Sequence, residues 1–250
     1  MNLNLNDKVV LVTGSSSGLG YAIARFLIEE GANIILNGRN LVALEKAHRE
    51  LGSSDYFVAD LTKAEDARSL IKKVVKKYAR IDGLVCNVGS GSSVPPGEES
   101  LNEWERVFAI NLFSTTNIVE ASKEVISKEK GSIVCISSIC GQEVIPGAPI
   151  TYSAAKAALN SYVKGISRPL GNMGVRINAI APGNLLFDGS VWQKKIKDNP
   201  SVVYEMLKGS VVLGKLGTPE DISSMCAYLL SSASNFVTGS VITVDGGQVH

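Results

Sequence analysis

The sequence predicts an α/β fold, a doubly wound parallel sheet with helices on both faces, built as a single domain over residues 1–250. Three observations predict it. Short apolar, β-branched runs alternate with longer helical runs along the whole chain. The strand-like runs are mostly apolar, as strands covered on both faces must be. With 250 residues, 45% of them hydrophobic and 20% charged, the chain can bury such a core without staples.

The elements follow in order. Residues 8–12 form a first strand, and 19–30 a helix with Leu19, Ile23, Phe26 and Leu27 on one face. Residues 33–36 and 41–51 give the second strand and helix, and 56–58 a third strand. A charged amphipathic helix spans 62–78, with Thr62 as its cap and Glu65 at capping-box spacing. Residues 83–86 are a fourth strand; 101–127 read as a helix broken or bent near Asn111. A strand at 132–136, an Ala-rich helix at 152–170 and a strand at 175–180 come next. A helix at 219–231 precedes the last strand, 241–244, which ends in Asp245-Gly246-Gly247.

Two segments break the rhythm: 90–99, rich in Ser, Gly and Pro, and 184–210, a long insertion of weak helical character. Both follow strands. Ligands of open parallel sheets bind beyond the carboxyl ends of the strands, so both segments, with 139–150, are candidate walls of a substrate site.

A net charge of +1 offers no case for nucleic acid or an anionic membrane as partner. No apolar run approaches the ~18 residues of a membrane span. The opening MNLNLNDK lacks a basic-then-apolar signal pattern, so a cytoplasmic protein is expected. Cys86, Cys135, Cys140 and Cys226 form no C-x-x-C pair and no zinc-spaced cluster. They read as free thiols, and no metal is expected.

Thr13-Gly14-Ser15-Ser16-Ser17-Gly18-Leu19-Gly20 joins the first strand to the first helix. Glycines there allow a tight turn and a close approach to a pyrophosphate, which the free N–H groups of the helix start then face. A lone glycine-rich turn is weak evidence; its place between a strand and an amphipathic helix strengthens it. At the end of the second strand an acid would bind a ribose diol. Here Asn37-Gly38-Arg39-Asn40 has none, and Arg39 can pair with a phosphate through its planar fork. That favours NADP(H) over NAD(H), with Ser17 able to add a hydroxyl contact.

Tyr152 and Lys156 stand four residues apart, on one helix face. A free phenol, with a pKa of ~10, is a poor base at neutral pH. A neighbouring ammonium, and the positive ring of an oxidised nicotinamide, would lower that pKa towards an acid/base range. Ser137 and Ser138 end a strand one loop earlier, where a hydroxyl can hydrogen-bond an oxygen that gains negative charge.

Together these segments resemble the classical short-chain dehydrogenase/reductase family: TGSSSGLG at 13–20, ADL at 59–61, CNVG at 86–89, Asn111 in INL, ISS at 136–138, YSAAK at 152–156, RINAIAPG at 176–183 and VDGG at 244–247. They follow the family's order over nearly the whole chain. The resemblance implies a Rossmann-type fold and a carbonyl/alcohol oxidoreductase with NADP(H). It also implies residue roles. Gly14, Ser16, Gly18, Leu19 and Gly20 would hold the pyrophosphate, and Asp60 and Leu61 would flank the adenine. Asn87 and Gly89 would support the strand end and the adenosine ribose. Ser138 would orient the carbonyl and Tyr152 exchange the proton. Lys156 would bind the nicotinamide ribose and tune Tyr152. Asn111 would bend its helix and hold a water linking Lys156 to solvent. Pro182 and Gly183 would line the nicotinamide, with Leu185 near its carboxamide. A homotetramer, or a homodimer, is the implied assembly; the residues themselves show only an Ala-rich, weakly charged helix face around 154–158.

Four positions depart from the family's pattern. Val88 stands where alanine is usual and crowds the backbone near the cofactor. Ser17 replaces a frequent basic residue, which leaves Arg39 as the main partner of a 2′-phosphate. Phe187 takes the place of a threonine, so its hydroxyl contact is lost or supplied elsewhere. The stretch from Ser138 to Tyr152 is one residue longer than in many relatives. The expected partner is a small carbonyl or alcohol substrate, with alternatives among acyl thioesters and sugars. A 3-oxoacyl-(acyl-carrier-protein) reductase would use Lys194, Lys195 and Lys197 towards an acidic carrier, although such a run is usually a solvated helix face. A sugar or polyol dehydrogenase would use Gln142, Glu143, Asn184 and Trp192 to bind hydroxyls. A non-catalytic NADP-binding sensor would have lost members of the tetrad Asn111, Ser138, Tyr152 and Lys156, all of which are present.

Overall fold

The protein is described from a computed structural model, which covers residues 3–249. Among these, β1 (Val9–Val12), β2 (Asn33–Gly38), β3 (Ser54–Val58), β4 (Gly83–Cys86), β5 (Ser132–Ile136), β6 (Arg176–Pro182) and β7 (Val241–Val244) form one sheet. All neighbours pair in parallel, in the order β3-β2-β1-β4-β5-β6-β7. The α/β fold expected from the alternating runs is the fold observed.

Side chains alternate across the sheet with the strand period of two. Val9 and Leu11 enter one buried cluster, Val10 and Val12 the other. The first cluster is covered by α3 (Ala64–Tyr78), α5 (Ser114–Lys128) and α6 (Ile150–Asn172), through Leu70, Val74, Ile118, Ile126, Leu159 and Val163. The second is covered by α1 (Gly18–Glu29), α2 (Leu41–Leu51) and the late helix at Pro219–Leu230, through Ile23, Leu27, Leu44, Ile222 and Cys226. Strand order reverses between β1 and β4, which opens a crevice beyond their carboxyl ends.

Two local expectations are corrected. The helix expected from Thr62 starts at Ala64, and no capping box forms there. The Thr62 backbone N–H and hydroxyl both turn back to Asp60 Oδ1, at 3.2 and 2.8 Å, and Glu65 pairs with Arg68. A carboxylate does close back on a helix start at Asp221, which accepts from the Thr218 N–H (2.7 Å) and hydroxyl (3.0 Å). The insertion of weak helical character holds two helices, α7 (Val191–Asp198) and α8 (Pro200–Ser210), and the Pro219–Leu230 helix is then α9. The broken helix is as expected: α4 (Leu101–Phe108) passes into a π turn at Ala109–Phe113 before α5.

Candidate active site

Beyond the carboxyl ends of the strands lie two adjoining clefts that share Gly14, Ser17, Asn87, Gly89 and Ser90. One, of about 450 Å3, is lined by Ser138, Tyr152, Lys156, Pro182, Gly183 and Leu185 among others. The second, of about 510 Å3, is lined by Ser16, Gly38, Arg39, Asp60 and Leu61. Leu19 and Gly20 line the first cleft.

The Ser138 hydroxyl accepts from the Cys140 N–H at 3.1 Å, so its own proton remains free to donate. Ser137 differs: its hydroxyl donates to Asn160 Oδ1 at 2.6 Å. Burial pushes the Tyr152 phenol up to about 12, with a hydrogen bond to Ser138 working against the rise. Lys156 is buried, donates to the Ile136 carbonyl at 2.8 Å, and is pushed down to about 8 by that burial. Its ammonium sits 5.8 Å from the centre of the Tyr152 ring. The net shift of the phenol is thus upward and set by burial, where the sequence led to a lowering.

Asn111 is 1% exposed and occupied on three sides. Its Oδ1 accepts from Ser90 N–H at 3.0 Å, while Nδ2 donates to the Ser90 and Val107 carbonyls, both at 3.1 Å. The Val107 carbonyl it meets lies one turn back, where α4 passes into the π turn at Ala109–Phe113. Both amide hydrogens are used, so a water could meet only the second lone pair of Oδ1. A Cβ on Gly89 would come within 3.0 Å of Asn111 Oδ1 and 3.2 Å of Lys156 Nζ, so glycine is what lets these two groups converge.

The turn after β1 is a cradle of the same kind. Gly14 and Gly18 hold φ of +61° and +59°, a region glycine enters without strain. A Cβ on Gly20 would lie 2.4 Å from both Asn87 Nδ2 and the Gly14 carbonyl. Asn87 in turn donates through Nδ2 to the Thr13 and Gly14 carbonyls at 3.1 Å. Val88 packs against Gly14, as the expected crowding requires. The Phe187 ring lies over Gly18, where a Cβ would meet it at 3.2 Å.

A family model described as enoyl-(acyl carrier protein) reductase matches residues 14–249. A 3-oxoacyl-(acyl-carrier-protein) reductase of Chlamydia muridarum is 36% identical over 99% of this chain and 100% of its own length. The chain belongs to the short-chain dehydrogenase/reductase family. It is an oxidoreductase of that family. Among solved structures, L-sorbose reductase of Gluconobacter frateurii, complexed with NADPH and L-sorbose, superposes with a TM-score of 0.93 at 25% identity, covering 100% of this chain and 99% of that one. A 3-oxoacyl-(acyl-carrier-protein) reductase of Agrobacterium tumefaciens with NADP bound gives 0.90 at 27% identity, covering 98% and 95%.

For a short-chain dehydrogenase/reductase, the residues present fit a dinucleotide. The glycine cradle leaves no room for side chains where backbone must approach a phosphate. Among the described residues, Asn37 Oδ1 is the one buried side-chain polar atom without a partner, and Asn37 lines the second cleft. Arg39 reaches to 4.0 Å of Asp60 Oδ2 yet stays 68% exposed, free to turn to another anion. Some expected contributors lie elsewhere. Gln142 and Glu143 are exposed outside the cleft that Tyr152 lines, and Gln142 accepts from Thr243 at 3.0 Å. Lys194, Lys195 and Lys197 are exposed and line neither cleft; Lys195 sits 4.3 Å over the Trp192 ring. Sequence reading missed a hydroxyl and carboxylate chain through Ser93, Thr151 and Glu103. Its one signal is the Thr immediately before Tyr152.

Proposed function

We propose that the protein is a single-domain, NADP(H)-dependent enzyme that reduces a ketone or aldehyde to an alcohol, with Tyr152 as general acid and a 3-oxoacyl thioester as its substrate class. One observation carries the reading: the Ser138 and Tyr152 hydroxyls line one cleft that runs on into the glycine cradle of Gly14 and Gly20. When bound, the cofactor supplies a hydride to the carbonyl carbon. Ser138 donates to the carbonyl oxygen as charge develops there, and Tyr152 transfers its proton to that oxygen. A phenol pushed up to about 12 keeps its proton at neutral pH, which suits the reductive direction. The Lys156 ammonium stabilises the phenolate left behind, and Asn111 with Gly89 sets where that ammonium sits. Arg39 would take a 2′-phosphate, and the second strand's end carries no acid to repel it.

The thioester reading rests on the 36% identical carrier-protein reductase and on Leu185, Phe187, Val191 and Trp192, which line the same cleft as Tyr152. A ketose reductase is the second reading, favoured by the TM-score of 0.93 to L-sorbose reductase and by Asn184 in the cleft. The same proposal includes a cytoplasmic homotetramer, supported by free thiols at Cys86, Cys135, Cys140 and Cys226 and by β7 standing at the sheet edge. NADPH consumption with acetoacetyl-coenzyme A, L-sorbose and cyclohexanone tests it. The thioester is expected to turn over fastest, and Arg39→Asp is expected to abolish the preference for NADPH over NADH. Faster sugar turnover, or an unchanged preference, would refute the respective part.

A further inference from the structure

The first turn of α6 carries Tyr152, but its N-cap is Pro149, whose ring offers no hydrogen-bonding group to hold the turn. A different anchor is present. Thr151 is 0% exposed, and its hydroxyl meets Ser93 Oγ at 2.7 Å. Ser93 Oγ gives its single proton to Glu103 Oε1 at 2.7 Å, so Thr151 must be the donor to Ser93. The chain of hydroxyls therefore runs from Thr151 through Ser93 to a carboxylate. Arg106 grips that carboxylate through Nε at 2.8 Å and Nη2 at 2.6 Å, and also donates to the Ser92 carbonyl at 2.9 Å. Arg106 and Ser93 together hold the Glu103 carboxyl down to about 2, so the anchor stays charged throughout the working range. Ser90, three residues earlier, is tied to Asn111.

We infer that Glu103 and Thr151 are positioning residues for Tyr152. Through Ser93 they clamp the first turn of α6 to α4 and to the loop that lines both clefts. Neither touches the cleft that holds Tyr152, and both act through it. A hydroxyl-to-carboxylate chain is directional, so it sets the angle of the turn as well as its distance. Small displacements of a reacting group are expensive, and the effect belongs in the chemical step rather than in cofactor binding.

The inference rests on the proposed reduction, and the test separates the two. With NADPH and acetoacetyl-coenzyme A, Thr151→Val and Glu103→Ala should each lower kcat by about tenfold or more, with KM for NADPH within about twofold of wild type. Thr151→Ser should restore turnover. The Thr151→Val, Glu103→Ala double variant should lose little more than either single change, because one chain is broken in each case. If Thr151→Val fails to fold, Ser93→Ala interrupts the same chain at a less buried position and should show the same split. Hydrogen–deuterium exchange of amides 150–155, read without substrate, should speed up in every interrupted variant. Thr151→Val turnover within about twofold of wild type, additive losses, or unchanged exchange would each overturn the inference. A wild-type protein inert towards the thioester would fail the proposed substrate class alone, and the exchange arm would still decide the clamp.

Discussion

Tyr152 and Lys156 are both unsettled by burial, in opposite senses. The phenol is pushed up to about 12 and the ammonium down to about 8, so each side chain moves towards its neutral form. A neutral phenol is the form needed to give a proton to a carbonyl oxygen. A charged lysine is the form needed to receive the phenolate. Below about pH 8 both conditions hold; above it Lys156 loses its charge while Tyr152 keeps its proton. The reductive kcat should therefore fall as pH rises through about 8, and Lys156→Arg, which keeps its charge, should move that limb upward. A profile flat from about pH 7 to about 9 would remove Lys156 from the proton-transfer step. The pairing of Tyr152 with Lys156 was legible from their spacing. What spacing could not show is that the lysine is held by the Ile136 carbonyl, since that depends on where the end of β5 lies relative to α6.

At the level of elements, the bend near Asn111 was visible as a polar side chain inside an apolar helical run. What satisfies that side chain was not, because the Ser90 backbone it meets comes from a loop 21 residues away. Asn111→Leu keeps the branched skeleton but offers nothing to the Ser90 N–H, the Ser90 carbonyl or the Val107 carbonyl. It should destabilise the protein by about 2 kcal/mol and lower turnover by tenfold or more, read by thermal melting and steady-state kinetics. Turnover equal to wild type would show that the π turn plays no part in the chemistry. The misplaced cap at Thr62 has a different lesson. Capping-box spacing was present, but Asp60 offered Thr62 a nearer acceptor and the helix started two residues later. A short-range competitor won over a pattern that considered only the helix. The insertion at 184–210 was read as weakly helical because its helices carry few buried residues; α7 has none and α8 buries Val203.

Across the whole molecule, the clefts occupy the carboxyl ends of the strands, while the opposite end is tied by charge. Asp82, with its side chain 5% exposed, receives Lys8 at 3.1 Å, Arg80 Nε at 2.8 Å and the Val9 N–H at 3.0 Å. Burial alone would raise this carboxyl, but hydrogen bonds from Arg80, Val9 and Lys8 carry it below its ordinary value. Its folded pKa is thus lower than its unfolded one. The stability it confers is present above the unfolded value, about 3.9, and is lost as pH falls through the folded value. Asp82→Asn should cost about 2 kcal/mol at neutral pH, roughly 4–8 °C in Tm, and should flatten the loss of Tm below about pH 4. NADPH affinity should not change, because the two ends of the sheet are separate; a parallel loss of affinity would contradict that division. The sheet itself was legible because its strands are apolar on both faces. The order β3-β2-β1-β4-β5-β6-β7 and the resulting crevice are tertiary facts that periodicity does not encode.

The proposed reduction requires Tyr152 to give its proton to a substrate oxygen. Tyr152→Phe removes that proton and little else, so its turnover of acetoacetyl-coenzyme A should be compared with its NADPH affinity, measured by cofactor fluorescence. The account predicts a fall in kcat of about a thousandfold with the dissociation constant for NADPH within about threefold of wild type. A phenylalanine enzyme that reduces the thioester within about tenfold of the wild-type rate would contradict it.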